Sequence, residues 1–526
     1  MALFKKLSPE EELIRRRHPL YGKYLAEWEL LRKAYEGGNE WKKTALDPYS
    51  TSELYGNYAD RLRRAVGSNH VKHVIAEKRN ILFRQGVHRD VVSGDKPPLW
   101  EAFNVNIDGR GTERDDFFRR VYTIGTLYSW VLILVDKALT AESVEDAIAQ
   151  RAYPYCAVFP PQAVLDWSVD RYGKLRWVLL RESSRVDGDP WQKDENKVLE
   201  SYLLWTQDYW QRIQALADAP ASRNTASYAE PYARLVAYDL GRKRKIIGKT
   251  ERNENPLGEV PVVIYRDGEH PTDMIVGDNN MTEIADFSRG WLNQRSNLDE
   301  QIYNTVFRFL AIIGGEAKKS KQKVGSRVAI HLPPGGDIKW VDAGASAADA
   351  IMKLLNDDER SIYLKAKLRS GYGEEKRPER MSGIAHNWDW RITGDDIADD
   401  ARVMEKCELE VDRLFGLWEK MNGFKTVVNY PRNFSVTSAQ EQLLLWQGLN
   451  QTPLSPTAMA ELHKRTVENL LPRMDEAKKK KILAEIEETP QPTPPAARNP
   501  LLPRGLGLNK KLAEKKQAAN ETPAQA

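Results

Sequence analysis

Three groupings in this chain have the residue types and spacing of a chemical site. The first is Gly248-Lys249-Thr250, which closes GRKRKIIGKT and has the ending of a loop that cradles phosphates. Such a loop needs a glycine five positions before Gly248, and that position is Lys243. The surrounding pattern is that of a β-hairpin and not of strand–loop–helix, so the segment is structural and encodes no nucleotide-driven motor. The second grouping is the acid pairs Asp395-Asp396 and Asp399-Asp400, which invite a metal-dependent nuclease. At the start of a helix, where they are expected, they favour its positive end instead. The third is a run of cations, Lys318, Lys319, Lys321, Lys323 and Arg327. On a hairpin edge it is either a solvated guard against edge-to-edge pairing or a sequence-independent contact for phosphates.

Other catalytic arrangements are missing. His-Glu-x-x-His and Gly-x-Ser-x-Gly do not occur, and the eight histidines are scattered, with His18 and His331 in structural company. Cys156 and Cys407 are too few for a disulfide framework or a zinc site of their own, and they suit a reducing cytosol. No catalytic, metal-binding or cofactor-binding residue is identified, and the expectation is a protein that is not an enzyme and carries no cofactor. The 79 basic and 75 acidic side chains nearly cancel, so any basic surface must be local. The N-terminus has no apolar signal core, and no apolar run approaches the ~20 residues that span a bilayer; no membrane association is expected.

The elements that must position these residues follow from periodicity. In 8–137 helical spacing dominates: Leu20, Tyr24, Trp28 and Leu31 recur at threes and fours and stop at Gly37-Gly38. DDFFRRVYTIGTLYSWVLILVD predicts a buried helix running into a strand. From 151 to 267 the period is two, with a hairpin turn at Asp170–Gly173, ending in NPLGEVPVVIYRDG. From Asn280 the helical period returns. Ile284, Phe287, Trp291, Leu298, Ile302, Val306 and Phe309 form one apolar stripe, and a helix over 280–314 would be about 50 Å long. Such a rod needs neighbours along its length. After Gly-Gly, the cations and a Pro-Pro-Gly-Gly turn, a second helix starts at Ser346, with Asp349 in its first turn. A third is expected from Thr393 and Asp396 as a cap pair, through Ile397, Met404, Val411, Leu414, Trp418 and Met421 to Gly423. KTVVNY reads as a strand, 437–487 as further helices, and the Pro- and Ala-rich tail from 488 as disordered. No internal repeat is present.

The order of pieces resembles the bacteriophage portal protein, the head-to-tail connector of tailed phages. The stretches that carry the resemblance include HPLYGKYLAEWELLRKAYEGG, FNVNIDGRGTERDDFFRRVYTIGTLYSWVLILVD, NPLGEVPVVIYRDG ahead of the Asn280 helix, HLPPGGDIKWVDAGASAADAI and WDWRITGDDIADDARVMEKCELEVDRLFGLWEKMNG. It spans residues 12–487, in segment order and texture.

The resemblance implies an α+β fold of portal-like architecture. It has a helical and β-rich wing (1–279), a first stem helix (280–314), a clip (315–345) and a second stem helix (346–370). A tunnel loop (371–387), a long spine helix and strand returning to the wing (388–435), a helical crown (436–487) and the tail follow. It also implies a homo-oligomeric ring, typically of twelve subunits, at one capsid vertex of a virion assembled in the host bacterial cytoplasm. That ring admits double-stranded DNA during packaging and releases it during ejection. Its implied partners are the terminase large subunit, head-to-tail adaptor or neck proteins, the major capsid protein and scaffold. Mapped here, the clip lysines Lys318, Lys319, Lys321 and Lys323 with Arg327, and the loop cations Lys376, Arg377 and Arg380, would meet DNA or a docking partner; an ordinary flexible loop is the alternative for the latter. The stripe from Ile284 to Phe309 would be completed by sister chains. Two rival readings are another phage head protein (minor capsid or assembly factor) and a packaging nuclease or ATPase.

Overall fold

Several helices begin on a side chain that satisfies the free N–H groups of the first turn. Ser8 and Glu11 form a capping box on α1 (Pro9–Arg15). His18 Nδ1 accepts from the Leu20 amide at the head of α2 (Pro19–Glu36), and its ring stacks on Trp167 at 3.9 Å. Asn69 caps α5 (His70–Leu82). Between them lie α3 (Gly38–Ala45) and α4 (Tyr55–Arg64). Gly37 ends α2 at φ 70°, and a Cβ there would come 2.8 Å from Asn69 Nδ2, so both backbone and space demand glycine.

The computed structural model describes residues 7–92, 96–185, 197–218, 242, 244–268, 275–277, 279–306, 309–313, 337–341, 346–368, 383–421, 423–432, 434, 481–482 and 484–485. The chain divides into two units, 1–435 and 436–526; the second contributes only the last four of these residues, which are helical.

The fold is α+β, with antiparallel sheets. Beyond α6 (Pro98–Val105), α7 (Arg114–Tyr128) runs directly into β2 (Trp130–Asp136) through Ser129 at φ 65°, as the sequence pattern predicts. β2 is the middle strand of a three-stranded sheet, between β3 (Tyr155–Phe159) and β9 (Val262–Arg266). Its unbroken apolar run is explained by packing on both faces. α8 (Val144–Gln150) precedes β3. The period-two block forms a five-stranded meander of β4 (Val164–Val169), β5 (Leu175–Arg185), β6 (Lys197–Thr206), β7 (Tyr209–Asp218) and β8 (Arg244–Glu254). Its first hairpin turns at Asp170, whose carboxylate accepts from the Tyr172 and Lys174 amides. Gly248-Lys249-Thr250 lies within β8, paired to β7, and shows none of the strand–loop–helix context of a phosphate-binding loop.

The C-terminal half of this unit departs from the expected boundaries. The helix over 280–314 is shorter: α9 covers Asn280–Val306, about 40 Å at ~1.5 Å per residue, and Phe309–Ile313 is a strand, β10. The Phe-Leu-Ala-Ile-Ile run before Gly314 prefers a pleated ladder, and it pairs antiparallel with β11 (Asp337–Val341), Phe309 opposite Val341. Phe309 is therefore not a helix-stripe residue. α10 spans Ser346–Lys365 and stops near Lys367, at φ 57°. The third long helix, α11 (Gly383–Trp418), starts well before Thr393 and Asp396, which are interior positions and not its cap. Its strand, β12 (Thr426–Asn429), pairs antiparallel with β1 (His88–Val91), which falls in the stretch the resemblance assigns to the wing; β1 itself is not marked by any period in the sequence. Two apolar cores result. One joins α2, α5, β2, the meander and the base of α9; the other surrounds α11 with α6, α7 and the opposite face of β2. Among the described residues no helix is long and apolar enough to cross a membrane.

Candidate assembly site

α9 and α10 form an antiparallel limb. Lys365, at the end of α10, pairs with Glu283 at the start of α9 and lies over the Phe287 ring; Asp358 stands over Gly290. Both termini at the far end lead into the β10–β11 pair.

The base of the limb is built into the core of its own chain. Met281, Ile284, Ala285 and Leu292 are buried among α2 and α5 residues, and Phe287 packs against the same cluster. Trp291 meets the His70 ring edge-on at 5.2 Å. Burial pushes His70 below its ordinary pKa, so the imidazole is neutral at pH 7. Asn293 clamps the chain between α3 and α4: its Oδ1 accepts from the Asp47 amide and its Nδ2 donates to the Ala45 carbonyl, both at 2.8 Å. The buried Arg61 guanidinium donates twice to Glu53 (3.1 and 2.9 Å), and Arg64 pairs with Glu300 at 2.6 Å.

This corrects the expectation that sister chains alone complete the stripe. Ile284, Phe287 and Trp291 are occupied by the chain's own α2 and α5, and Leu298 is buried as well. The stripe left Leu292 out, although it is one of the best-covered residues of α9. Further along α9, Ile302 is 48% exposed, while the Arg64 guanidinium lies over the Tyr303 ring at 4.6 Å. On α10, Met352 and Leu354 are 45% and 47% exposed among the described residues. The side chains of Val306 and Phe309, and Lys318, Lys319, Lys321, Lys323, Arg327 and His331, lie outside the described residues, as do Lys376, Arg377 and Arg380.

At its other end α10 is tied to α11 by an ionic junction. Thr393 Oγ1 donates to the Lys367 carbonyl (2.7 Å), and Lys78 from α5 pairs with Asp396 at 2.7 Å. Lys367 pairs with the same carboxylate. The Tyr122 hydroxyl donates to Asp400 at 2.6 Å. Burial works against the charge on Lys78, but the surrounding carboxylates outweigh it and hold its pKa above the ordinary value. Burial, reinforced by the charge of Asp267, pushes Asp400 up to about 8. The acid pairs therefore do not line a helix start: Asp396 and Asp400 are cross-element partners, and Asp399 pairs with Arg402 on the surface.

A second network fixes α11 to the wing. Glu408, fully buried, accepts from Arg89 (2.6 and 2.9 Å), from Arg114 (2.8 Å) and from the Tyr430 hydroxyl. Asp412 accepts from Arg114 (2.8 and 3.1 Å), Trp100 Nε1 (3.2 Å) and Thr426. Sequence reading missed these residues. The available signal was position: Glu408 and Asp412 are four apart and fall within the apolar face of Met404, Val411 and Phe415.

No family model matches the chain. No curated protein matches it either. Among solved structures, it is similar to a chain in the neck of a native gene transfer agent particle computed with C12 symmetry, at 11% identity and a TM-score of 0.39, covering 75% of this chain and 89% of that one. A second similar chain belongs to the virion of the native gene transfer agent particle (12% identity, TM-score 0.37, 79% and 96% covered). A third belongs to the neck of the empty particle computed with C6 symmetry (11%, 0.36, 87% and 92%).

Proposed function

We propose that this chain is the subunit of a portal ring. That ring stands at one vertex of a phage-type capsid and conducts double-stranded DNA inward during packaging and outward during ejection. The observation that carries the reading is the limb. A helical hairpin with its base held in the wing by Ile284, Leu292 and Asn293 leaves Ile302, Met352 and Leu354 45–48% exposed among the described residues. Large apolar side chains left exposed on such a hairpin are what a neighbouring copy would bury. The tie of α10 to α11 through Lys78, Asp396 and Thr393 supports the same reading, since a limb that bears load along an axis has to be braced at its root.

In this reading the protein is structural and not catalytic, needs no cofactor, and forms a homo-oligomer of about twelve copies. Lys318, Lys319, Lys321, Lys323 and Arg327, with Lys376, Arg377 and Arg380, are the candidates for contacting DNA phosphates or docking the terminase large subunit and then a neck adaptor. The outer wing meets the major capsid protein and, during assembly, scaffold. Negative-stain microscopy with native mass of the purified full chain tests the proposal. One annulus with an axial hole, built of about a dozen chains, is expected. A stable monomer under capsid-assembly conditions overturns it.

A further inference from the structure

Five charged side chains meet where the limb joins the wing. Lys78 comes from α5, Asp396 and Asp400 from one face of α11 a single turn apart, Asp267 from the position after β9, and Lys367 from the end of α10. α11 packs against β9, which brings Asp267 to the two α11 acids. Lys78 and Lys367 both pair with Asp396. Among the described residues no cation pairs directly with Asp267 or Asp400, and Asp400 instead accepts from the Tyr122 hydroxyl of α7 at 2.6 Å. Two cations thus face three carboxylates. A buried set of charges costs least when it is neutral, so one of the three carboxylates has to carry a proton. Burial works against the Asp396 carboxylate, but its two lysines outweigh it and keep it ionised, which leaves Asp267 and Asp400. Burial pushes Asp267 up to about 6 and Asp400 up to about 8. The remaining titratable groups around them, Tyr122, Tyr265 of β9 and Cys407 of α11, are pushed up by burial and hold their protons throughout this range.

The position of the cluster is as informative as its charge. The Asp267 amide donates to the Ser129 carbonyl at 2.7 Å, and Gly277 is pressed against both of their carbonyl oxygens just ahead of α9. The Lys367 carbonyl takes the Thr393 hydroxyl at the point where the chain leaves α10. The chain entering the limb, the chain leaving it and the spine helix α11 are therefore joined through one set of charges. A carboxyl whose folded pKa is raised contributes stability at low pH that is lost as pH rises through the folded value. Opened to water, both carboxyls ionise near their ordinary values of about 4. Between about pH 6 and 8 each opening of the joint then releases one proton and becomes about tenfold more favourable per pH unit, levelling off above 8.

We infer that Asp267 and Asp400 share a single proton and that this proton locks the joint between the limb and α11, so that its loss frees the limb root without unfolding the wing. The inference concerns one chain and stands whether or not copies form a ring. Hydrogen exchange of the full chain, read by mass spectrometry from pH 6 to 8 and corrected for intrinsic rates, tests it. The probes are the Ala366, Lys367 and Leu368 amides, which close the end of α10 on Ile362, Leu364 and Tyr363. The amides of the central strand β2 (Trp130–Asp136) are the reference. The joint amides are expected to exchange faster than those of β2 at every pH, and their protection to fall about 100-fold from pH 6 to 8, one proton's worth. Asp400→Asn and Asp267→Asn each leave two cations against two carboxylates, so each should keep the wild-type circular dichroism and flatten that dependence. Joint amides as protected as those of β2 overturn the proposal, since the joint then opens only with the whole fold. So does a flat wild-type profile, which decides the matter even if an amide variant does not fold. Full dependence retained in either folded variant also overturns it, because the proton then belongs to the other acid alone.

Discussion

Replacing Glu408 by Gln isolates the charge in the network that fixes α11. The substitution keeps the volume and one acceptor but leaves the Arg89 and Arg114 guanidiniums without the carboxylate that both address at 2.6–2.9 Å. Breaking a buried pair by removing one partner costs about 3–5 kcal/mol. The lower end applies here because each arginine keeps a second acid: Arg114 holds Asp412 at 2.8 Å, and Arg89 holds Asp115 at 2.5 Å. Glu408→Leu removes the acceptor of the Tyr430 hydroxyl as well and belongs at the upper end. The arginines hold the Glu408 carboxyl below its ordinary pKa, outweighing burial. A carboxylate with a depressed folded pKa contributes stability that is fully present above the unfolded value of about 4.3, and it is lost as pH falls through the folded value. Urea unfolding followed by far-ultraviolet circular dichroism at pH 7 should therefore show a deficit of about 3 kcal/mol for Glu408→Gln. The gap to wild type should narrow below pH 4. A variant within about 0.5 kcal/mol of wild type at pH 7, or a gap independent of pH, would refute the assignment of this network as a structural tie.

Four further outcomes are expected. Ile284→Ala should destabilise the single chain by about 2–5 kcal/mol in the same assay. Ile302→Asp should leave the melting temperature unchanged yet abolish annuli by microscopy, because only the second position is uncovered in one chain. Gly277→Ala should cost about 3 kcal/mol, since its Cβ would fall 2.4 Å from the carbonyl oxygens of Asp267 and Ser129, which are backbone and cannot turn aside; wild-type stability would disprove that packing. Asp400→Asn should gain stability relative to wild type as pH rises. The folded carboxyl stays protonated up to about 8 while the unfolded one ionises near its ordinary value, so the wild-type fold loses stability across that interval and the amide does not. A difference that is flat from pH 5 to 8, read from urea midpoints, would count against it.

Periodicity alone determined much of this protein. The 3–4 spacing around Trp28 gives α2, the alternation on both sides of Asp170 gives the first hairpin of the meander, and the apolar stretch from Phe117 through Val135 gives a buried helix entering a central strand. These are local consequences of which face each residue must turn inward. His18 reads as having a turn or packing role, and its cap on the Leu20 amide is equally local, whereas its stack on Trp167 joins residues far apart in the chain. Tertiary structure alone decided which neighbour covers each apolar face. The stripe from Ile284 has one helical rhythm throughout. Nothing in that rhythm reveals that α2 and α5 of the same chain cover its first half and leave Ile302 bare. The start of α11 was misplaced because Thr393 and Asp396 are good capping residues, and their actual partners, Lys367 and Lys78, lie 26 and 318 residues away. The same holds for Glu408, held by Arg89 and Arg114 at separations of 319 and 294 residues. A hydrophobic period is a property of a short segment. The partner of a buried charge is a property of the whole fold, and only the assembled chain brings the two together.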